Sequence, residues 1–312
     1  MAEQNITVSV CCITYNHERY IAQTIESVLA QVTDFVIELV IGEDCSTDST
    51  RAIAQRYEAQ YPGLVRVLTP EKNIGIMPNL MATIDACRGE FIALVEGDDY
   101  WTDITKLQQQ VEALQANPTY SFCFHDAETF LDGDLAIAWT YSGRFGHILP
   151  PAGSPPTSYT QADLARWGWF LPTASMLIRA ASLPRPMPAW LAGVHSGDFT
   201  IQLLSTRYGP AYYLPQVMSR YRLHPTSITA TTSNTPYQYE RHIYAGKMFQ
   251  QYVFDQKHRK HADIYLAQQY RNYAKYLGSQ GQSRKQLHYL AKAFLLNLQR
   301  IPLYIERRLQ RA

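Results

Sequence analysis

The chain alternates between short, densely apolar runs and longer segments whose apolar residues recur at helical spacing. Ile6 to Ile13 is almost wholly apolar or small and predicts a central strand. From Glu18 the period changes. Ile21, Ile25, Val28 and Leu29 fall on one helical face, giving an amphipathic helix to about Gln31. Phe35 to Ile41 and Leu64 to Leu68 predict strands, with a helix to about Gln60 between them and another over Pro78 to Ala86. Phe91 to Val95 is a third buried strand candidate after the opening one. A helix with Ile104, Leu107, Val111 and Leu114 on one face follows it, then a strand at Tyr120 to Phe124. Regular alternation of strand and helix predicts an α/β fold: a Rossmann-like, mostly parallel sheet flanked by helices.

The polar residues fit this frame. Thr14-Tyr15-Asn16, Glu43-Asp44, Asn73 and Glu96-Gly97-Asp98-Asp99 each follow a strand. They are therefore expected to meet at one edge of the sheet, where open α/β proteins bind ligands. Residues 130–170 break the pattern. Gly, Pro, Ser and aromatic residues dominate, and a loop region of the lid type is expected there. Order returns at Phe170 to Arg179, in a helix carrying Ile201, Leu203 and Leu204, and in a strand over Tyr212 to Tyr221. From Tyr237 the pattern is helical, clearest in Asp263–Ser279 and Ser283–Gln299, split by Gly281. One such helix–turn–helix unit is too little for a repeat array.

Composition narrows the class. The 312 residues are 46% apolar and 18% charged, enough to bury a substantial core. Net charge is +1, but it is unevenly spread. Residues 1–240 hold 14 Lys/Arg against 24 Asp/Glu, and residues 241–312 hold 14 against 3. A basic tail on an acidic body implies that the tail faces something anionic, such as a membrane surface, a nucleic acid or the body itself. No aromatic-interleaved basic platform accompanies the tail, so nucleic acid is not expected as a partner. The five cysteines are odd in number and lack CxxC spacing. They predict reduced residues of a cytoplasmic protein rather than a disulfide frame or zinc site. The N-terminus has no basic region followed by an apolar segment, and no run reaches the roughly 18 apolar residues of a membrane span. The stretch Phe294 to Arg311 mixes apolar residues with arginines. It either lies peripherally on the inner face of a membrane or forms a packed helix with a solvated basic face.

The acids after Val95 are the first candidate chemistry. Glu96, Asp98 and Asp99 place several hard oxygens together, which suits a divalent cation bridging to phosphates or, equally, a solvated turn before the next helix. The segments Val8–Val10 through Asn16, Ser27–Gln31, Glu43–Asp48, Asn73–Gly75 and Glu96–Trp101 with Lys106-Leu107 resemble, in order and spacing, the nucleotide-sugar-binding half of an inverting family 2 glycosyltransferase of the GT-A fold. The resemblance covers about the first 125 residues and continues more weakly to about Ser227.

This resemblance implies a division into a glycosyltransferase domain over residues 1–235 and a basic helical tail over 236–312. The nucleotide-sugar-binding half would span residues 1–125 and the acceptor and catalytic half 126–235. It further implies that Asp44 hydrogen-bonds the nucleotide base, with Tyr15 stacking on it and Ile13 and Thr14 supplying nearby contacts. Asn73, Glu96, Gly97 and Arg222 join the nucleotide-binding set, Arg222 as a cation for phosphate. Glu96 stands where the family usually has aspartate. Asp98 is the expected ligand to Mn²⁺ or Mg²⁺, with Asp99 and His224 of the Tyr221-Arg222-Leu223-His224 segment beside it. Asp198 matches the catalytic base, and its position at a helix start equally suits an N-cap. Trp167, Trp169 and Thr173 fall where an acceptor sugar would approach.

The implied activity is transfer of a sugar from a nucleotide-diphosphate donor, a UDP-sugar, to a glycan or lipid-linked acceptor in polysaccharide or cell-surface glycan synthesis. The alternative is a non-catalytic glycan- or membrane-binding scaffold of the same fold. A nucleotidyltransferase is disfavoured, because Thr14–Arg19 is neither glycine-rich nor strongly basic. A P-loop ATPase is excluded by the lack of a Gly-x-x-x-x-Gly-Lys-Ser/Thr segment.

Overall fold

The computed structural model describes residues 5–134 and 136–298. The chain divides into two compact units, Met1–Ala192 with Gly197–Pro225, and Gly193–Ser196 with Thr226–Ala312.

In the first unit, strands β1 (Val8–Thr14), β2 (Ile37–Glu43), β3 (Val65–Leu68) and β4 (Phe91–Glu96) pair in parallel in the order β3-β2-β1-β4. Helices α1 (Ile21–Leu29), α2 (Thr50–Gln60) and α3 (Ile76–Ala86) make the crossovers, and α4 (Lys106–Ala116) follows β4 and the short strand β5 (Tyr100–Trp101). Alternation along each strand sends side chains to opposite faces. Val8, Val10 and Cys12 join Ile21, Ile25 and Val28 of α1 and Leu107, Val111 and Leu114 of α4 in one buried cluster. The other face receives α3 closely. A Cβ on Gly42 would lie 2.0 Å from Thr83 Oγ1, so only glycine admits that helix.

The sheet continues through β9 (Leu177–Arg179), β6 (Phe122–Leu131) and β10 (Ala211–Leu223) to β5, giving the order β3-β2-β1-β4-β9-β6-β10-β5. Strands β6 and β10 pair in parallel, whereas β9 and β5 run antiparallel to their neighbours. The register matters most at the carboxyl edge. Thr14 pairs with Glu43, and Ile13 with Glu96. The polar strand ends do converge as the sequence pattern implies.

Residues 130–170 are more ordered than their composition suggested. They hold β7 (Ile137–Thr140), α5 (Tyr141–Arg144), β8 (Thr157–Tyr159) and α6 (Gln161–Trp167). The reason is side-chain tethering rather than pattern. Asp126, fully buried on β6, accepts the Ser142 backbone N–H at 3.0 Å and the Ser142 hydroxyl at 2.5 Å. Thr160 and Asp163 close a capping box at the start of α6.

The second unit is helical: α8 (Ile228–Thr232), α9 (Pro236–Met248), α10 (Arg259–Ser279) and α11 (Ser283–Leu298). Its core gathers Ile243, Leu266, Tyr270, Tyr273, Leu277 and Ala293. Gly281, at φ 71°, turns the chain between α10 and α11 as the sequence pattern required. Most of the arginine-rich stretch Phe294–Arg311 lies outside the described residues. No described helix is long and apolar enough to cross a membrane.

Candidate active site

The end of β4 turns sharply, and Gly97 makes the turn possible. A Cβ there would stand 2.5 Å from Thr14 Oγ1 and 3.0 Å from His17 Nδ1. The bare glycine lets the loop after β1 close onto the acids after β4. His17 thereby brings its Nε2 to 3.7 Å from Asp98 Oδ2. From β10, His224 places its Nε2 2.9 Å from the same oxygen. The two imidazoles meet edge to face, with centroids 6.2 Å apart. Burial pushes the Asp98 carboxyl up, but His224 and His17 outweigh it and hold the group below the usual carboxylate range. His17 is lowered by its own burial, against the pull of Asp98.

Ligand atoms of His17, Asp98 and His224 all lie within 4.8 Å of one another, the one such group among the described residues. Two imidazole nitrogens and a carboxylate suit a divalent transition ion such as Mn²⁺. Mg²⁺ favours oxygen ligands and retained water. Asp99, expected beside the ion, does not join these atoms. Its Oδ1 accepts the Arg222 backbone N–H at 2.9 Å, and burial, then Asp98 and Glu96, raise its carboxyl well above the ordinary value. His17, which the sequence reading passed over, stands in its place. The available signal was its position, directly after Thr14-Tyr15-Asn16 at the edge where the acids converge.

Arg222 also departs from expectation. Its Nε donates to the Asp98 carbonyl at 2.9 Å, Nη1 to Asp132 at 3.3 Å and Nη2 to Gln23 at 2.6 Å. The guanidinium rests over Tyr20 and Phe130. It is a buried clamp joining α1, the acid turn and β6, so its charge is committed to the protein rather than offered to a phosphate.

Asp44 is buried and clasps the next turn. Its two carboxylate oxygens accept the Ile74 and Gly75 N–H groups at 2.8 and 2.9 Å, while the Asn73 amide donates to its carbonyl. Each oxygen keeps a second lone pair for a further donor. Ile13 and Thr14 are buried at the strand end, and Tyr15 stands exposed beside them.

Asp198 lies in the first turn of α7 (Gly197–Ser205). Its Oδ2 accepts the Trp169 indole N–H at 2.8 Å and the Thr173 hydroxyl at 3.4 Å. Glu96 faces the same group. Burial, then the nearby Asp98 and Asp198, push its carboxyl up to about 8, against a hydrogen bond with Thr173. Trp169 and Thr173 are thus drawn to the carboxylate. Trp167 turns elsewhere, against His147 and Arg166.

A mostly parallel sheet with carboxylates and imidazoles gathered at its carboxyl edge is the arrangement of a GT-A-type fold. Residues 9–138 match the model of glycosyl transferase family 2. An uncharacterised protein of Mycobacterium tuberculosis is 34% identical over 221 residues, 71% of this chain and 60% of its own length. The chain thus spans about three-fifths of that relative. A putative teichuronic acid biosynthesis glycosyltransferase of Bacillus subtilis is 34% identical over 37% of this chain and 45% of its own. Two solved structures share the fold. Residues 1–349 of Staphylococcus aureus TarS with UDP-GlcNAc give a TM-score of 0.64 at 16% identity, covering 92% of this chain and 82% of that one. The Pyrobaculum calidifontis mannosyltransferase PcManGT with GDP-Man and Mn²⁺ gives 0.56 at 15% identity, covering 95% and 88%.

Proposed function

We propose that the protein moves a sugar from a nucleotide-diphosphate donor, a UDP-sugar, to a glycan or lipid-linked acceptor with inversion, in the synthesis of a surface polysaccharide. The observation that carries this reading is the convergence of His17, Asp98 and His224 on one point of the sheet edge that also holds Asp44 and Asp198. The UDP-sugar bound by one structural neighbour and the Mn²⁺ held by another support the donor and ion classes. The catalytic domain is taken as residues 1–235, with 236–312 as a helical extension. All five cysteines are unpaired, which suits a reducing cytoplasm.

The roles follow from chemistry. A bound divalent ion supplies Lewis acidity to the diphosphate leaving group. His17, Asp98 and His224 would hold it, and with Arg222 committed elsewhere it would supply the positive charge for the diphosphate. Asp44 accepts a donor N–H of the base, and Tyr15 offers an exposed ring beside it. Asp198 takes the proton from the attacking acceptor hydroxyl, with its carboxylate aimed by Trp169 and Thr173.

Two substitutions test the reading by transfer assays with candidate nucleotide sugars. Asp98→Ala abolishes divalent-ion-dependent transfer; robust metal-independent transfer by this variant would sink the assignment. Asp198→Asn keeps donor binding, read as donor-induced protection against thermal unfolding, while transfer falls by about two to four orders of magnitude. Normal transfer by that variant would place the base elsewhere.

A further inference from the structure

Helix α11 presents three distinct faces. One packs against α10, with Ala293 buried and Tyr289 beside Tyr270 and Tyr273. A second is apolar and open. Leu287, Leu290, Phe294, Leu295 and Leu298 share it at i, i+3, i+7, i+8 and i+11, with Leu287 66% and Phe294 61% exposed. The third is basic. Lys285, His288 and Lys292 follow one another at i, i+3 and i+7 beside the apolar stripe; Lys285 and His288 are exposed, and the half-exposed Lys292 holds its ammonium 5.3 Å from the Tyr289 ring centroid. Between Ser283 and Leu298 there is no acid, and Arg284 and Lys285 enter no ion pair among the described residues. Five large apolar side chains exposed on one stripe among the described residues mark a contact surface.

The charge pattern selects the partner. A stable homodimer interface uses roughly 20–30 residues a side and is depleted of charge at its core. Five residues fall far short, and their flank is uniformly positive. An anionic lipid surface matches both halves, with acyl chains for the stripe and phosphate headgroups for the lysines. We propose that α11 docks the protein in the plane of an anionic bilayer through Leu287, Leu290, Phe294, Leu295 and Leu298, with Lys285 and Lys292 at the headgroups. The inference stands apart from the sugar-transfer reading and uses none of its residues.

The test is co-sedimentation of the full chain with vesicles of phosphatidylcholine alone or mixed with phosphatidylglycerol. Binding to the anionic vesicles is expected to exceed that to neutral ones by about ten-fold or more, and to weaken as salt is raised. Leu290→Glu with Phe294→Glu abolishes it at unchanged melting temperature, since both side chains already face solvent. Lys285→Gln with Lys292→Gln removes the preference for anionic lipid. Failure of the wild-type chain to bind anionic vesicles overturns the proposal. So does a light-scattering mass of a dimer that the Leu290→Glu/Phe294→Glu variant returns to monomer, because a second copy would then cover the stripe.

Discussion

Trp169 has two possible uses, and its geometry separates them. Its ring is half exposed, which suits a platform for a sugar, but its indole N–H is spent on Asp198 at 2.8 Å. The ring also packs on the buried Tyr141 at 5.6 Å, so it is a fixed pointer rather than a free face. Trp169→Phe keeps an aromatic face while removing the N–H donor with the five-membered part of the indole. Steady-state kinetics should then give a kcat lower by about ten-fold or more, with the acceptor KM little changed. A change confined to KM would restore the platform role. His17 is also fixed by a neighbour. Its Nδ1 lies 3.3 Å from Thr14 Oγ1, which sets the ring so that Nε2 faces Asp98. His17→Ala should weaken Mn²⁺ binding by about ten-fold or more, measured by paramagnetic resonance titration of free Mn²⁺, while donor-free thermal stability stays near wild type.

Single elements carry the site by close approach and tether. Gly97→Ala forces a Cβ into Thr14 and His17, so ion binding should suffer although the core is untouched. Asp126 does the opposite work, holding α5 onto β6 through Ser142. Asp126→Ala leaves the Ser142 backbone N–H without its acceptor, at a cost of about 2 kcal/mol. Hydrogen exchange over residues 137–145 should speed up in that variant.

These cases also explain what the sequence can tell. The strands and helices of residues 8–124 follow from apolar period, because each strand is buried in the sheet and each helix buries one face against it. His224 is legible only through the resemblance of its Tyr-Arg-x-His segment, whereas the convergence of Thr14, Asp44 and Asp98 follows from strand order. Tethers do not: nothing in a Gly/Pro-rich stretch says that a buried aspartate on another strand accepts from Ser142. Nor does a Tyr-Arg-x-His segment say that its arginine is consumed internally, since Asp132 and Gln23 are recruited from distant parts of the chain.

At the scale of the whole molecule, the helical unit carries a group that responds to acid. In the helical unit, burial and then the adjacent His195 lower the His242 imidazole to about 4. The folded chain keeps this ring neutral while the unfolded chain protonates it near its ordinary value. Between about pH 6.5 and 4 the unfolded state therefore binds more protons, and stability falls as pH falls across that window. The loss approaches about 3 kcal/mol and is absent at neutral pH. His242→Gln should flatten this part of the stability–pH curve in denaturant titrations. An unchanged slope would assign acid sensitivity to other groups.

The Arg222 clamp has a consequence in time as well as in space. Its guanidinium bonds to Gln23, 199 residues earlier in the chain, and to the Asp98 carbonyl, while the Asp99 carboxylate receives its backbone N–H. During synthesis the first four strands emerge long before β10. Until that last strand inserts between β6 and β5, the acids after β4 have His17 but lack His224 and Arg222. The centre can thus be completed only after β10 has been made, and a chain terminated before it would carry the first four strands without His224 and Arg222.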